Sequence, residues 1–350
     1  MQALTRLWNS KKGGKATRLG TRGLAIITVC VAITALGCDL SSMPPTPTLF
    51  VFPTLAPTEQ VALPTTPAEI VSTEAAVTFA PTEQPTDAVP TLGPEQPSTP
   101  SSVLRVYFVD VGQGDAILIL SPDNKTILID GGETDTGIVP FLQSMGVQQI
   151  DLIVATHPHS DHIGGLVQVL KAMPVARVVT NGQSTTTSTY EHFLDAIISA
   201  QAEYAEAKTG DTVSVGILNF NILNPTTLTD DTNHNSLVLR LMYGNVSFLF
   251  TGDADQAAEA DMMSASLPLG AIILKVGHHG SRSSSSPAFL AQVKPQIAVY
   301  SAGAGNSYGH PRPETLAALA AVGTTVFGTD VNGTVVITTD GVQYHAATSR

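Results

Sequence analysis

The sequence predicts an α/β protein built as a sandwich of four layers in the order αβ/βα. Short apolar segments bounded by Gly, Pro, Asn or Asp recur from Val103 onward, which is the pattern of buried strands. Segments with helical character separate many of them, so strands and helices are interspersed along both halves of this region. Two strand-rich halves of this kind favour two packed sheets with helices on their outer faces.

The first half opens with a hairpin, because two apolar segments flank a turn that contains Gly112 and Gly114. We expect strands at 103–109, 116–120, 126–130, 152–155 and 175–180, and helices at 138–145, 166–170 and 190–200. Two further hairpins begin the second half, and Tyr243-Gly244-Asn245 is the turn of one of them. There we expect strands at 213–217, 220–223, 236–242, 247–251, 271–276, 297–301, 326–327, 334–338 and 342–345, with helices at 287–292 and 313–321.

The charge of the 350-residue chain is unevenly distributed. Its formal net charge is -12, and six of its 17 basic residues precede residue 23. From Val103 onward, 11 basic residues face 22 acidic ones, which argues against a long polyanion such as duplex DNA as the main partner. Both cysteines, Cys30 and Cys38, lie near the N-terminus, so the rest of the chain offers neither a disulfide nor a thiolate ligand.

The N-terminal third is expected to direct the protein to its location and to attach it there. A basic stretch, an apolar segment at 23–37 and Ala35-Leu36-Gly37-Cys38 read as a signal over residues 1–38 with Cys38 as the lipidated residue. This reading predicts an extracytoplasmic, membrane-anchored lipoprotein. The alternatives are an uncleaved single anchor or a secreted protein. Residues 39–102 are rich in Pro and Thr and predict a disordered linker, which leaves residues 103–350 as the folded domain.

Potential metal ligands follow the predicted strand at 152–155, because His157, His159, Asp161 and His162 lie within six residues. Side chains two residues apart in extended backbone project to the same side, so His157 and His159 can share one ion. Asp161 and His162 lie one turn further on and can reach a second ion. Imidazole and carboxylate without thiolate suit Zn or Mn, so we expect two divalent metal ions.

Two later segments add candidate ligands at strand ends. Asp253 follows an apolar strand and a Gly, so its carboxylate can emerge at the sheet end and bridge the two ions. His278 and His279 follow another predicted strand. Adjacent side chains in extended backbone face opposite ways, so we expect His278 to be a ligand or general acid and His279 its supporting or substrate-contacting neighbour.

The run H-x-H-x-D-H at 157–162 resembles the signature of hydrolases with the metallo-β-lactamase fold. Further segments look like the hydrolase domain of the ComEC family of competence DNA-uptake proteins, and the resemblance covers 103–345 in order. These segments are Asp110–Ala116, Leu128–Gly132, Asn235–Leu239, Thr251–Asp253, Lys275–Ser281 and Tyr308–Pro311. The resemblance implies a metallo-β-lactamase-like four-layer sandwich with its metal site at one edge, between the sheets.

The resemblance also implies roles for individual residues. One ion is expected at His157, His159 and Asp253, and the other at Asp161, His162, Asp253 and His310, with contact to the substrate as the alternative role of His310. Many relatives carry a further His where this chain has Asn235, which is then a weak ligand or a non-ligand, with His234 as an alternative ligand. Asp161, His278 and His279 are expected to act in catalysis. Asp110, Gln113, Asp115 and Asp130 are expected to orient imidazoles, with an ordinary turn acid as the alternative for Asp115. Lys275, Ser281 and Arg282 are expected to contact a phosphate.

The leading functional hypothesis is an extracytoplasmic dinuclear metal-dependent hydrolase, either a phosphodiesterase or a nuclease-like enzyme. Its expected partners are a phosphodiester or small ester, single-stranded nucleic acid, and the membrane through the lipid anchor. A second hypothesis is a hydrolase of a small ester, lactone or lipid head group, which the acidic composition favours over one acting on long polyanions. A third is a non-catalytic, surface-tethered binding module, against which the intact histidine run argues.

Overall fold

The computed structural model describes residues 103–350. The expected signal at 1–38, its lipidated Cys38 and the linker at 39–102 therefore lie outside the described residues. In chain order the strands are β1 (Leu104–Phe108), β2 (Ile117–Leu120), β3 (Thr126–Ile129), β4 (Leu152–Ala155), β5 (Arg177–Thr180), β6 (Glu203–Glu206), β7 (Thr212–Val215), β8 (Leu218–Asn224), β9 (Val238–Tyr243), β10 (Val246–Phe250), β11 (Ile273–Lys275), β12 (Ile297–Tyr300), β13 (Thr325–Gly328), β14 (Val335–Thr339) and β15 (Tyr344–Thr348).

The helices lie between these strands. They are α1 (Ile138–Ser144), α2 (Ser160–Ala172), α3 (Ser188–Ala200), α4 (Gln256–Ser264), α5 (Pro287–Val293), α6 (Pro313–Ala321) and α7 (Thr329–Asn332), and a 3₁₀ turn occupies Gly277–Gly280. Among residues 103–350, none of the helices has the length and apolar character needed to cross a membrane.

The strands form two mixed sheets. The first contains eight strands in the order β15-β14-β1-β2-β3-β4-β5-β6, and the second contains seven in the order β13-β12-β11-β10-β9-β8-β7. Strands β3 to β6 run parallel to one another, and so do β10 to β13. Parallel neighbours end at the same edge of a sheet, so the segments that follow β3, β4, β10, β11 and β12 collect at common edges.

The alternation of side chains along each strand builds the layers. On β10, Phe248 and Phe250 point into the core between the sheets, where Phe250 packs against Phe108 of β1 at a ring separation of 6.4 Å. Leu249, between them, faces the helices instead, in a second cluster that contains residues of α4, α5 and α6. A third cluster joins α1, α2 and α3 to the outer face of the first sheet. The predicted four-layer αβ/βα sandwich is therefore confirmed.

Three elements were missed by the sequence interpretation. The β6 strand is a short edge strand whose flanking Glu203 and Glu206 are exposed, so it lacks the apolar signal of a buried strand. The helix α4 buries Ala258, Glu259 and Met262 and shows no continuous apolar stripe. The third element is the single turn α7, which is too short to produce a periodic pattern.

Candidate metal centre

The candidate centre lies where the ends of strands from the two sheets meet. His157 and His159 follow β4, and α2 begins directly after them with Asp161 and His162 in its first turn. From the second sheet, Asp253 follows β10. Two glycines allow this packing: a Cβ on Gly165 of α2 would collide with the carbonyl oxygen of Gly131 after β3. The helix can therefore lie directly against the strand end.

The first group of ligand atoms comes from His157, His159 and Asp253, which could together hold one ion. His157 Nε2 lies 3.0 Å from His159 Nδ1 and 3.8 Å from Asp253 Oδ2. His157 and Asp253 are almost fully buried, whereas His159 is partly exposed. The structure thus brings together the three residues that the sequence assigned to the first ion.

The second group comes from Asp161, His162 and His279. His279 Nε2 lies 3.2 Å from Asp161 Oδ2 and 3.4 Å from Asp253 Oδ2. His162 Nε2 lies 3.3 Å from Asp253 Oδ1. Because Asp253 faces both groups, its carboxylate has the position of a ligand shared by two ions. A third possible combination, Asp115 with His162 and Asp253, uses residues of the same centre.

Four buried atoms of these residues have no hydrogen-bond partner: His162 Nε2, Asp253 Oδ1, His279 Nε2 and, beside them, Asp115 Oδ1. Buried polar atoms are normally hydrogen-bonded, so unpartnered lone pairs that converge on one point need another explanation. A divalent cation supplies it, since imidazole nitrogen and carboxylate oxygen are ligands that Zn and Mn accept. The residues present therefore fit a metal centre.

Each buried imidazole is held through its other nitrogen. His162 Nδ1 donates to Asp130 Oδ2 at 2.8 Å, and Asp130 is fixed by the backbone N–H and hydroxyl of Thr156. The His157 Nδ1 lies 3.1 Å from Thr156 Oγ1 and 3.3 Å from Ser236 Oγ. These contacts set the orientation of each ring and leave Nε2 directed at the centre. The expected role of Asp130 behind an imidazole thus has matching geometry.

The Ser301 carbonyl performs the same task for His279, whose ring also lies beside Asp115, an acid that is paired with a lysine. His279 Nδ1 donates to the Ser301 carbonyl at 3.0 Å and lies 3.3 Å from Asp115 Oδ1. The other oxygen of Asp115 lies 2.7 Å from Lys275 Nζ, and both side chains are buried. The expected contact of Lys275 with a phosphate was wrong, because its ammonium is fully enclosed and also donates to the Val276 carbonyl.

The electrostatics of the centre follow from burial and from the facing charges. Burial would raise the pKa of the Asp253 carboxyl, but the imidazoles of His279 and His162 outweigh it and lower that pKa well below its ordinary value. The converse holds for His162 and His279: burial would lower their pKa, but the surrounding carboxylates, Asp253 foremost, raise it well above the ordinary value. A cation that binds their Nε2 atoms must displace protons, so its binding weakens as pH falls.

The adjacent His278 and His279 are placed differently from the sequence expectation. The backbone there is not extended: φ is 48° at His278 and 55° at His279, both in the left-handed region. The turn directs His279, which is 2% exposed, into the second ligand group. His278 remains at the cleft, with Nε2 3.7 Å from Asp253 Oδ2 and Nδ1 3.0 Å from Ser283 Oγ. His279 rather than His278 thus joins the ligand group, and the position of His278 at the cleft is compatible with the expected alternative role of a general acid.

His310 was expected to hold the second ion, but it belongs to none of the three groups found among residues 103–350. Its ring lies beside His278 at a centroid distance of 5.6 Å and against Tyr308 at 5.9 Å. Burial and the nearby His278 lower the pKa of His310 to about 4, so its imidazole is neutral at pH 7. In the structure, His279 occupies the position that the sequence assigned to His310.

Five other predicted residues lie apart from the ligand atoms. Asp110 pairs with Arg350 and accepts from Gly112 N, so it does not orient an imidazole. Asn235 is fully buried with its amide hydrogen-bonded to Thr229, which makes it a non-ligand. The remaining members are Ser281, whose hydroxyl faces Ser283, Arg282, which is exposed, and His234, whose ring faces Asp255 and Asp261.

A cleft of about 440 Å³ opens onto the centre. Gln113 lines it, and its Oε1 accepts from Gly303 N rather than contacting an imidazole. Several lining or supporting residues were not singled out from the sequence because single Thr, Ser, Asn and Tyr residues carry no spacing pattern. They are Thr156, Thr187, Thr189, Asn233, Ser236, Ser301 and Tyr308, of which Ser236 and Tyr308 fell within segments quoted for the resemblance.

Comparison with known proteins agrees with this arrangement. The family model described as Metallo-beta-lactamase superfamily matches residues 109–304. ComE operon protein 3 of Bacillus subtilis is 32% identical over 255 residues, which cover 67% of this chain and 33% of that protein. Competence protein ComA of Neisseria gonorrhoeae is 32% identical over 244 residues, covering 67% of this chain and 32% of that protein. The chain thus spans about a third of the length of these relatives, and the resemblance expected from its motifs is confirmed.

Among solved structures, the metallo-beta-lactamase fold protein YhfI of Bacillus subtilis aligns with a TM-score of 0.49 and 13% sequence identity. The alignment covers 67% of this chain and 99% of YhfI.

Proposed function

Since this chain belongs to the metallo-beta-lactamase superfamily, we propose that residues 103–350 form a dinuclear metal-dependent hydrolase of phosphodiesters. The observation that carries the proposal is the convergence of buried, unpartnered ligand atoms from both sheets: His162 Nε2, His279 Nε2 and Asp253 Oδ1. A structural cluster of histidines would instead satisfy these atoms with protein hydrogen bonds.

Two ions are proposed at this centre. His157, His159 and Asp253 would hold one, and Asp161, His162, Asp253 and His279 would hold the other. When bound, such ions lower the pKa of water and offset the negative charge that develops at the reacting phosphorus. The chain's own contribution is to fix the ligands. Asp130 accepts a hydrogen bond from His162 Nδ1, and the Ser301 carbonyl accepts one from His279 Nδ1.

His278 is the proposed proton donor to the leaving oxygen. Its side chain is 24% exposed and lines the cleft, so a substrate can reach it. Ser283 Oγ lies 3.0 Å from His278 Nδ1, which directs Nε2 toward the cleft and Asp253. A proton held at Nε2 would thus be available to an oxygen that departs from a phosphoryl group bound at the ions that Asp253 would hold, beside His278. The left-handed backbone at His278 and His279 lets neighbouring residues serve these two different roles.

The finer features of the proposal are supported by the sequence and the relatives. Two of the relatives are named for the ComE operon and for competence, which supports a phosphodiester of nucleic acid as the substrate class. An extracytoplasmic position with Cys38 as lipid anchor is supported by the apolar segment at 23–37. A small ester or lactone is the second candidate, favoured by the excess of acidic residues from Val103 onward.

The test uses the full-length chain loaded with Mn or Zn and a bis-aryl phosphodiester as substrate. Wild-type protein should cleave it, and Asp161→Ala should lower kcat by at least about a hundredfold because a ligand of the second ion is lost. Glu203→Ala, which removes an exposed carboxylate on the edge strand β6, is the matched control and should retain activity. Equal rates in the two variants would contradict the proposed centre.

The same preparations separate the other hypotheses. A small ester or lactone cleaved with a higher kcat/KM than the phosphodiester would favour the second candidate. Metal content measured after dialysis addresses the non-catalytic binding module. Two retained ions per chain without hydrolysis of any substrate would support that module.

A further inference from the structure

The loop after β12 carries an exposed aromatic side chain, Tyr308, that has no role in the proposed hydrolysis. Tyr308 is 60% exposed, although a large aromatic side chain gains free energy when it is buried. It lines the same cleft as Asp253 and His279. The ring packs on the His310 imidazole with centroids 5.9 Å apart and planes inclined by 23°. One face of Tyr308 therefore rests on a protein ring at the rim of the candidate centre.

Hydrogen bonds hold this loop in place. Asn306 Oδ1 accepts from His310 N at 3.1 Å, and Asn306 Nδ2 donates to the carbonyls of Gly303 and His310. Arg312 Nη2 donates to the Tyr308 carbonyl at 2.7 Å. A ligand that packs on Tyr308 therefore meets a backbone that is already held, which lowers the entropic cost of binding.

A row of rings leads from the rim toward the centre. Tyr308 contacts His310, and His310 contacts His278 at a centroid distance of 5.6 Å. His278 Nε2 in turn lies 3.7 Å from Asp253 Oδ2. A substrate whose phosphate is bound by the ions that Asp253 would hold can thus place a planar group along this row. Aromatic side chains bind such groups by stacking, because every planar base offers a π face.

We propose that Tyr308 is a stacking subsite for a planar ring attached to the substrate next to its scissile phosphate, such as a nucleobase. The inference rests on the proposed phosphodiester hydrolysis, since the subsite has this meaning only if a phosphate is bound at Asp253. Tyr308 then determines affinity for ring-bearing substrates and takes no part in bond cleavage. Its substitution should change KM and inhibition constants and leave kcat nearly unaltered.

The first experiment compares two inhibitors of the full-length, Mn-loaded protein, one with a base and the other with a hydroxyl at the anomeric carbon. Thymidine 5′-monophosphate should inhibit roughly tenfold more tightly than deoxyribose 5-phosphate, in line with the contribution of one stacked base. Tyr308→Ala should abolish this ratio, and Tyr308→Phe should preserve it. Val342→Ala, a substitution at a side chain that is 70% exposed between β14 and β15, is the control and should also preserve it. A ratio of one in wild-type protein, or an unchanged ratio in Tyr308→Ala, would overturn the subsite.

The second experiment does not depend on turnover. In Tyr308→Trp, thymidine 5′-monophosphate should quench the new indole fluorescence and deoxyribose 5-phosphate should not. Wild-type protein, whose one Trp is Trp8, is titrated in parallel to correct the signal. Base-dependent quenching without hydrolysis of any phosphodiester would support the subsite and reject the proposed function. Hydrolysis accompanied by identical titrations with both ligands would reject the subsite alone.

Discussion

Among individual residues, Lys275 shows how the centre depends on a side chain that no substrate can reach. Its ammonium lies 2.7 Å from Asp115 Oδ2, and Asp115 Oδ1 faces His279 Nδ1 at 3.3 Å. Burial would raise the pKa of Asp115, but the charge of Lys275 and the His279 imidazole lower it below its ordinary value. Lys275 therefore keeps a buried carboxylate ionised behind a candidate metal ligand.

Replacing Lys275 with Met should lower the free energy of unfolding by about 3 kcal/mol, because a buried carboxylate loses its charged partner. Metal retention should fall as well, since His279 would lose part of its support. Urea unfolding and metal content after dialysis measure the two effects. Lys171→Met, at an exposed position in the last turn of α2, is the matched control and should change stability by less than about 0.5 kcal/mol. Equal stability of both variants would contradict this account.

The sequence allowed part of this centre to be predicted residue by residue. The spacing of His157, His159, Asp161 and His162 predicted that these side chains come together, because all four residues lie between the end of one strand and the first turn of the next helix. Which of His278 and His279 faces the ligand group was not predictable from the alternation of side chains in a strand, because both residues have positive φ. Pairing of Asp115 with Lys275 was equally hidden, since 160 residues of sequence separate them.

At the scale of single elements, the helix α4 supports the start of α5 through a buried carboxylate. Glu259 is 2% exposed and accepts hydrogen bonds from the backbone N–H groups of Ser285 and Ser286, which directly precede α5. Burial raises the pKa of Glu259 to about 6, although these hydrogen bonds oppose the shift. The helix was missed in the sequence because its buried positions are an Ala, a Glu and a Met rather than an apolar stripe.

The raised pKa of Glu259 predicts a pH dependence of stability with a definite sign. In the folded protein the carboxyl keeps its proton up to a pKa of about 6, whereas the unfolded chain releases it near 4.5. The stability that this group contributes is therefore full below about pH 4.5 and is lost as pH rises through 6, by about 2 kcal/mol. Glu259→Gln, which resembles the protonated form, should lack this part of the pH dependence.

Urea unfolding of wild type and Glu259→Gln at pH 4.5 and pH 7 measures the difference. Groups common to both proteins cancel when the two pH differences are subtracted, so the remainder belongs to Glu259. The control is Glu314→Gln, at an exposed carboxyl in the first turn of α6, which should behave like wild type. An identical pH dependence in Glu259→Gln and wild type would refute the assignment.

At the scale of the whole molecule, the alternation of apolar residues predicted both sheets because it is a local property of each strand. Ile127 and Ile129 point into the core between the sheets while Leu128 faces the helices, as the pattern requires. The pairing of β1 with β14, which closes the first sheet from opposite ends of the described chain, has no local signal. That long-range pairing was therefore not predicted from the sequence.

Because the candidate ligands come from both sheets, bound metal should stabilise the whole fold. His157 and His162 follow the first sheet, and Asp253 and His279 follow the second, so ions that bind only the folded state link the two layers. Removal of metal with a chelator should lower the midpoint of thermal unfolding. Zn or Mn at a concentration about a thousandfold above its Kd should then raise the free energy of unfolding by about 4 kcal/mol. Differential scanning calorimetry measures this shift, which Glu203→Ala should retain and Asp253→Ala should lose. A thermal midpoint that does not change on chelation, or a metal-dependent shift that persists in Asp253→Ala, would show that the metal is not bound at this centre. Either result would remove the basis for the proposed hydrolase.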